Sequence, residues 1–226
     1  MNIFPRLNEI IESPEGIISV WGDFGVGKTT FALQTAINTS NKGNKVIYIY
    51  SKPNFPSVRI GNILKDNQKE ILDNIVIIRT TDFTDLYNII FNLEFLILNN
   101  LKEKANSFGL IILDSITDLY RLELNREKKE KNISLNFQLN QILANLSYIF
   151  ETYGIDVLVV NELTRKSHTD QTEEVQSGGK VMDFWVSYSV KIERTERLSA
   201  RNLTVRNHRE NKKFELSTIL TNNGFE

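Results

Sequence analysis

Residues 22–29 read Gly22-Asp23-Phe24-Gly25-Val26-Gly27-Lys28-Thr29, a G-x-x-x-x-G-K-[ST] run placed between an apolar segment and a helical one. Glycines at this spacing let backbone N–H groups turn inward around phosphate oxygens, and the N-terminus of the following helix adds positive potential. Lys28 has the charge to neutralise the outer phosphates of a nucleoside triphosphate, and Thr29 has the hydroxyl to meet magnesium. The candidate ATP contacts are therefore Gly22, Asp23, Phe24, Gly25, Val26, Gly27, Lys28, Thr29 and Thr30. The competing reading, a glycine-rich turn that binds nothing, leaves the lysine, the hydroxyl and the flanking pattern unexplained.

A second chemical signal is Leu110-Ile111-Ile112-Leu113-Asp114, an apolar strand ending in a carboxylate. Such a pattern alone marks many ordinary strand ends, but downstream of a phosphate cradle it reads as the aspartate that holds the magnesium shell opposite Thr29. The expected cofactors are ATP and Mg²⁺, with Thr29 and Asp114 as the metal residues.

These groups need a scaffold. Apolar runs of strand length recur at 16–21, 45–50, 75–78, 110–113 and 156–160, with helical stretches between several of them, and that alternation predicts a mainly parallel sheet flanked by helices. Residues 29–40 read as a helix, and Asp82 as the N-cap of a long one carrying Leu86, Ile89, Ile90, Leu93, Leu96, Ile97 and Leu101 on one buried face. Leu139, Ile142, Leu143, Leu146, Ile149, Phe150 and Tyr153 keep the helical period until Gly154 stops it. Beyond residue 185, short β-prone segments at 186–192, 202–205 and 213–219 predict antiparallel strands extending the sheet. The expectation is a single α/β domain over residues 1–226.

Composition narrows the chemistry. Lys plus Arg number 27 against 28 for Asp plus Glu, so any basic surface must be local. Cysteine is absent and histidine occurs twice, which removes thiolate metal sites and leaves little for an imidazole cluster. No apolar run has the length and continuity of a membrane span, and the start lacks a signal-peptide core, so a cytoplasmic protein is expected.

The stretch Asp114-Ser115-Ile116-Thr117-Asp118-Leu119-Tyr120-Arg121-Leu122-Glu123-Leu124 resembles the segment after the corresponding strand in RadB, the short archaeal paralogue of the RadA and RecA recombinases. Ser177-Gly178-Gly179-Lys180 followed by Trp185, and Asn207-His208-Arg209 before the last β segment, extend the resemblance over nearly the whole chain. It implies a RecA-like P-loop ATPase core without an accessory helical DNA-binding domain. It also exposes two departures. Where the family pattern places the glutamate that activates the attacking water, this chain has Lys52; where it places an Asn-Gln pair, this chain has Asn161-Glu162. A protonated lysine accepts no proton from water, so hydrolysis loses a contribution typically worth about 10²- to 10⁴-fold. Glu162 is the candidate catalytic residue, a substitute that orients water or pairs with Lys52; two unrelated surface changes are the equal alternative.

The resemblance further implies DNA contacts on two segments, 125–132 and 164–180, both read as flexible loops. Arg165, Lys166, His168 and Lys180 are the cations of the second, diluted by Asp170, Glu173 and Glu174, and no aromatic platform for base stacking accompanies them. Modest, salt-sensitive binding of single-stranded DNA is expected at Arg165, Lys166 and Lys180, with a mixed-charge solvated loop as the alternative. Residues 190–213 are the most basic stretch, suited to phosphates, to a neighbouring subunit's nucleotide or to plain solvated charge. The reading is an ATP-binding mediator of recombination and repair, with a RadA-type recombinase as protein partner and homo-oligomer formation left open. A KaiC-like signalling ATPase and a true DNA-stimulated ATPase are its rivals.

Overall fold

The computed structural model describes residues 1–11, 16–64, 70–102, 106–124, 128–168 and 171–226. The N-terminal half runs α1 (Pro5–Ile10), β1 (Ile17–Gly22), α2 (Lys28–Ser40), β2 (Lys45–Tyr50), α3 (Ser57–Ile63), α4 (Glu70–Asp73), β3 (Ile75–Arg79), α5 (Phe83–Lys102) and β4 (Phe108–Asp114). It continues through α6 (Ile116–Glu123), α7 (Lys129–Tyr153), β5 (Asp156–His168), β6 (Gln171–Gln176) and α8 (Gly179–Trp185). The last strands are β7 (Val186–Arg194), β8 (Ala200–Asn207), β9 (Lys212–Thr221) and β10 (Gly224–Phe225). Among the described residues one sheet has the order β10-β9-β8-β7-β1-β5-β4-β2-β3, with β6 paired to β5 off this path.

The fold class is the one the alternation of runs predicts. β1, β2, β4 and β5 are apolar on both faces because helices cover both sides. Ile18, Val20, Val46, Tyr48, Leu110, Ile112, Leu158 and Val160 point toward α1 and α2. Their sequence neighbours Ile17, Ile47, Ile49, Ile111, Leu113, Val157 and Val159 point toward α5, α6 and α7. Asp82 caps α5 by accepting from the Asp85 N–H at 2.7 Å, and Gly154 closes α7 in the left-handed conformation with its N–H on the Phe150 carbonyl.

Two expectations need correction. Residues 186–192 are not antiparallel on both sides: β7 lies parallel to β1 and antiparallel only to β8. The reason is the excursion through β6 and α8, which crosses over β1 and returns the chain to the same end of the sheet. The segment 164–180, read as a flexible loop, is largely a hairpin: β5 continues past Glu162, pairs antiparallel with β6, and α8 follows. Arg165 faces Glu174 and Lys166 faces Glu173 across it, so the charges that look like loop residues are cross-strand partners.

The C-terminal strands lock onto the helix after the glycine-rich turn. Phe225 stacks on Phe4 at 6.0 Å and meets Phe31 edge-on at 5.8 Å, while Gln34 exchanges two hydrogen bonds with the Phe225 backbone, at 2.8 and 2.9 Å. No helix among the described residues is long and apolar enough to cross a membrane. Leu143 is fully buried under the sheet and Phe137, on the same helix, is mostly exposed. Leu143→Ala is therefore expected to cost about 2–5 kcal/mol of unfolding free energy, and Phe137→Ala no more than about 0.5 kcal/mol, as read from urea midpoints.

Candidate functional site

Parallel pairing brings the chemically marked residues into one row at the carboxyl ends of the strands, where open α/β sheets place their ligands. Gly22 lies beside Glu162 in the β1–β5 register. Asp114 lies beside Tyr50 on one side and Val160 on the other. The turn that follows β1 is possible only with glycine. Gly22 has φ +150° and a side chain there would meet the Ile192 carbonyl oxygen at 2.3 Å, whereas Gly27 has φ +112° and a Cβ would strike Leu220 and Phe225.

The turn wraps around the ammonium of Lys28, which is 5% exposed. Its Nζ donates to the carbonyls of Gly22 and Asp23, each at 2.9 Å, and to Glu162 Oε2 at 2.8 Å. All three of its protons are thereby used. Burial raises the Glu162 carboxyl above its ordinary range against the opposing pull of Lys28. Thr29 is partly buried and Thr30 buried in the first turn of α2, while Asp23, Phe24 and Gly25 stand exposed at the rim.

Asp114 is fully buried. Its Oδ2 accepts from the Tyr48 hydroxyl at 2.9 Å, and burial together with the Asp114 charge pushes the Tyr48 phenol well above its ordinary pKa. Asp114 Oδ1 accepts no hydrogen bond; the group that faces it is the Lys52 ammonium at 3.1 Å. The same ammonium lies 3.3 Å from Thr29 Oγ1, 3.9 Å from Asp118 Oδ2 and 4.0 Å from Glu162 Oε1. Burial lowers an ammonium's pKa, but here the carboxylates of Asp114, Asp118 and Glu162 outweigh it and Lys52 is held above its ordinary value. Asp118 is aimed by the cap of α6, where Ser115 accepts from the Asp118 N–H at 3.0 Å.

Lys52 and Glu162 are thus neighbours, as one of the two sequence alternatives requires, but the stronger partner of Glu162 is Lys28. Asn161 is buried behind them. Its Oδ1 accepts from Thr117 Oγ1 at 2.5 Å and its Nδ2 donates to the Ser177 carbonyl at 2.8 Å, linking α6 to the segment after β6. The candidate DNA residues separate. Arg165 turns to Glu174 at 3.3 Å and Asp23 at 3.7 Å, whereas Lys166 and Lys180 line a groove of about 470 Å³ together with Arg121. Residues 125–127 of the first segment, and 169–170 and the His168 side chain of the second, lie outside the described residues.

Two members of the basic stretch 190–213, Arg194 and Arg201, hold the glycine-rich turn, a role their sequence positions do not signal. Arg201, buried on β8, donates to the Val26 carbonyl at 3.0 Å and to those of Leu198 and Ala200 at 2.7 Å. Arg194 on β7 donates to the Phe24 carbonyl at 3.0 Å from an exposed position. Part of the basic stretch 190–213 is therefore a brace for the glycine-rich turn, and only the β7–β8 pairing places it there.

A glycine-rich turn between the first strand and its helix, an acid ending β4 on the far side of β5 and an antiparallel extension beyond β7 define a RecA-like P-loop fold. The sequence pattern of the Rad51 family matches residues 7–224. A "DNA repair and recombination protein RadB" of Methanocaldococcus jannaschii is 33% identical over 191 residues, 83% of this chain and 84% of that protein. Its counterpart in Methanococcus maripaludis is 31% identical over 224 residues, 97% and 95% of the two chains. One from Thermococcus kodakarensis is 30% identical over 166 residues, 72% and 68%. The chain belongs to the Rad51 family and, within it, to the archaeal RadB proteins.

Arg201→Ala removes the buried donor of the Val26 carbonyl and two partly buried hydrogen bonds to Leu198 and Ala200, and is expected to lower unfolding free energy by about 1–3 kcal/mol. Arg194→Ala, which removes one exposed hydrogen bond, is expected to cost less than about 1 kcal/mol; chemical denaturation of the two variants side by side measures both.

Proposed function

We infer that this chain binds ATP in the cradle formed by residues 22–30 and serves homologous recombination and DNA repair as a nucleotide-gated, DNA-binding mediator with weak or absent hydrolysis. The observation that carries the reading is the pairing of Lys28 with Glu162. A preformed phosphate lysine is held by a carboxylate that a nucleotide must displace, which makes occupancy a switch between two arrangements of one ammonium. Hydrolysis finds less support. Lys52 has no lone pair to offer water at neutral pH, and Glu162, the carboxylate proposed for that role, is engaged by Lys28.

The magnesium expected between Thr29 and Asp114 does not fit the residues as they stand. The space that an ion would share with both holds the Lys52 ammonium, so no step of this reading passes through a metal.

DNA binding is assigned to the groove of Arg121, Lys166 and Lys180 rather than to Arg165, whose charge is spent on Glu174 and Asp23. The names of the RadB relatives place those proteins in repair and recombination, and a RadA-type recombinase is the protein partner proposed for this one. A KaiC-like signalling role loses ground to family membership.

The first test measures ATP binding and steady-state hydrolysis with and without single-stranded DNA, using Lys28→Ala as the blank. Binding without turnover, lost in Lys28→Ala, is expected; turnover that rises with DNA and disappears in the blank would replace the mediator by a DNA-stimulated ATPase. Glu162→Gln removes a negative charge that competes with phosphate for Lys28. It is expected to bind ATP about 3- to 10-fold more tightly while losing residual turnover, and looser binding would sink the displacement idea.

For DNA, replacing Lys166 and Lys180 together by alanine is expected to reduce the salt slope for single-stranded DNA by about 1.4, at about 0.7 per phosphate contact, with little effect from Arg165→Ala. Fluorescence anisotropy over a series of salt concentrations gives the slope.

A further inference from the structure

We propose that the Lys52 ammonium takes the place of the divalent cation at this site, so that the chain holds ATP as the metal-free anion. The inference rests on the nucleotide-binding reading above and concerns the cation that accompanies the nucleotide.

Four oxygen-bearing groups surround the Lys52 Nζ, and two of them, the Thr29 hydroxyl at 3.3 Å and the buried Asp114 carboxylate at 3.1 Å, are the pair a P-loop site reserves for its metal. Asp114 Oδ1 is fully enclosed and accepts no hydrogen bond, so a cation must balance it; the cation present is covalently part of the chain. A magnesium ion held by the Thr29 hydroxyl and the Asp114 carboxylate would compete with the Lys52 ammonium for the same two groups, with like charges opposed in a largely buried pocket.

The structure fixes the lysine. Ser51 N donates to the Asp114 carbonyl at 2.9 Å, and Ser51 Oγ both donates to the Ser115 carbonyl at 3.0 Å and accepts from the Ser115 N–H at 2.8 Å. Arg79 donates to the Pro53 carbonyl at 2.9 Å and Tyr50 to that of Asn54 at 2.6 Å. The turn bearing Lys52 is thereby stitched to the strand end bearing Asp114, and the side chain is directed into the cluster at both ends of its reach. An ammonium has three donors: with Thr29 engaging one and Asp114 held as an ion pair at 3.1 Å, donor capacity remains for a non-bridging phosphate oxygen. It supplies a single positive charge and no open coordination position, so it supports retention of the triphosphate far better than cleavage.

The experiment titrates the full chain with a fluorescent ATP analogue in buffer containing EDTA and in buffer containing magnesium. Affinity in EDTA is expected to equal or exceed that in magnesium, within about three-fold, because the ion competes for the nucleotide and adds nothing at the site. Lys52→Met, of similar length without charge, is expected to lose at least about ten-fold in EDTA. Lys52→Glu, which restores an acidic residue, is expected to lose as much in EDTA and to regain most of it with magnesium. Circular dichroism melts establish that the variants are folded at the assay temperature, and the two-buffer comparison on the natural chain needs no substitution. Binding by the natural chain that falls ten-fold or more in EDTA and returns with magnesium overturns the inference and leaves the nucleotide reading standing. Binding in neither buffer overturns both, and Lys52→Met indistinguishable from the natural chain in EDTA removes Lys52 from the site.

Discussion

A carboxylate with no exposure to water must be given a positive neighbour, and Asp114 sets that requirement at the centre of the sheet. Taking one partner from such a pair costs about 3–5 kcal/mol, so the geometry around Asp114 constrains the rest of the site. The Tyr48 hydroxyl satisfies one oxygen and the Lys52 ammonium faces the other. With Lys52 drawn inward, Asp118 and Glu162 gather on its remaining sides, and Glu162 in turn reaches Lys28. Two cations and three anions form one electrostatic unit at the carboxyl ends of the strands, drawn from α2, the turn after β2, β4, α6 and β5.

The phosphate turn is braced from outside that unit. Arg201 and Arg194 hold its carbonyls from the antiparallel strands, and Phe225 packs behind α2. These strands contribute no group to the charge cluster among the described residues, yet without them Gly27 and the first turn of α2 would lack the surface against which they pack. The antiparallel extension is therefore a mechanical support for a motif that lies in the parallel half.

What the sequence disclosed and what it withheld divide by distance along the chain. The glycine-rich turn is contiguous, so its residue types and order carry its geometry, and the strand ending at Asp114 is nearly as local. The long apolar stripe of α7 and the Asp82 cap of α5 were legible for the same reason. Lys52 among Thr29, Asp114 and Asp118 was not, because its position depends on the register of β2 against β4, and strands apolar on both faces carry no alternation from which register can be read. The hairpin of β5 and β6 was hidden because its stability comes from opposed charges rather than an apolar stripe, and the same residues look like a solvated loop. The role of Arg201 was hidden in a basic run whose members differ only in which strand lies beside them.

The arrangement also links the nucleotide to the surface proposed for DNA. Glu162 lies on β5 at the point where the strand leaves the central sheet and enters the hairpin that bears Lys166. Behind it, Asn161 ties Thr117 on α6 to the Ser177 carbonyl, next to the turn that leads into α8 and Lys180. In the nucleotide-gated reading proposed above, phosphate arriving at Lys28 would compete with Glu162 for the same donors, so occupancy would loosen or shift the residue that opens the hairpin. The gate responds only to the difference in how the two arrangements bind the nucleotide. Here that difference has a physical source, a carboxylate expelled from an ammonium by a more highly charged anion. If Lys52 takes the cation's place as proposed, no coordinated water would be generated to end the bound state by cleavage, and nucleotide release rather than chemistry would set the lifetime of the signal.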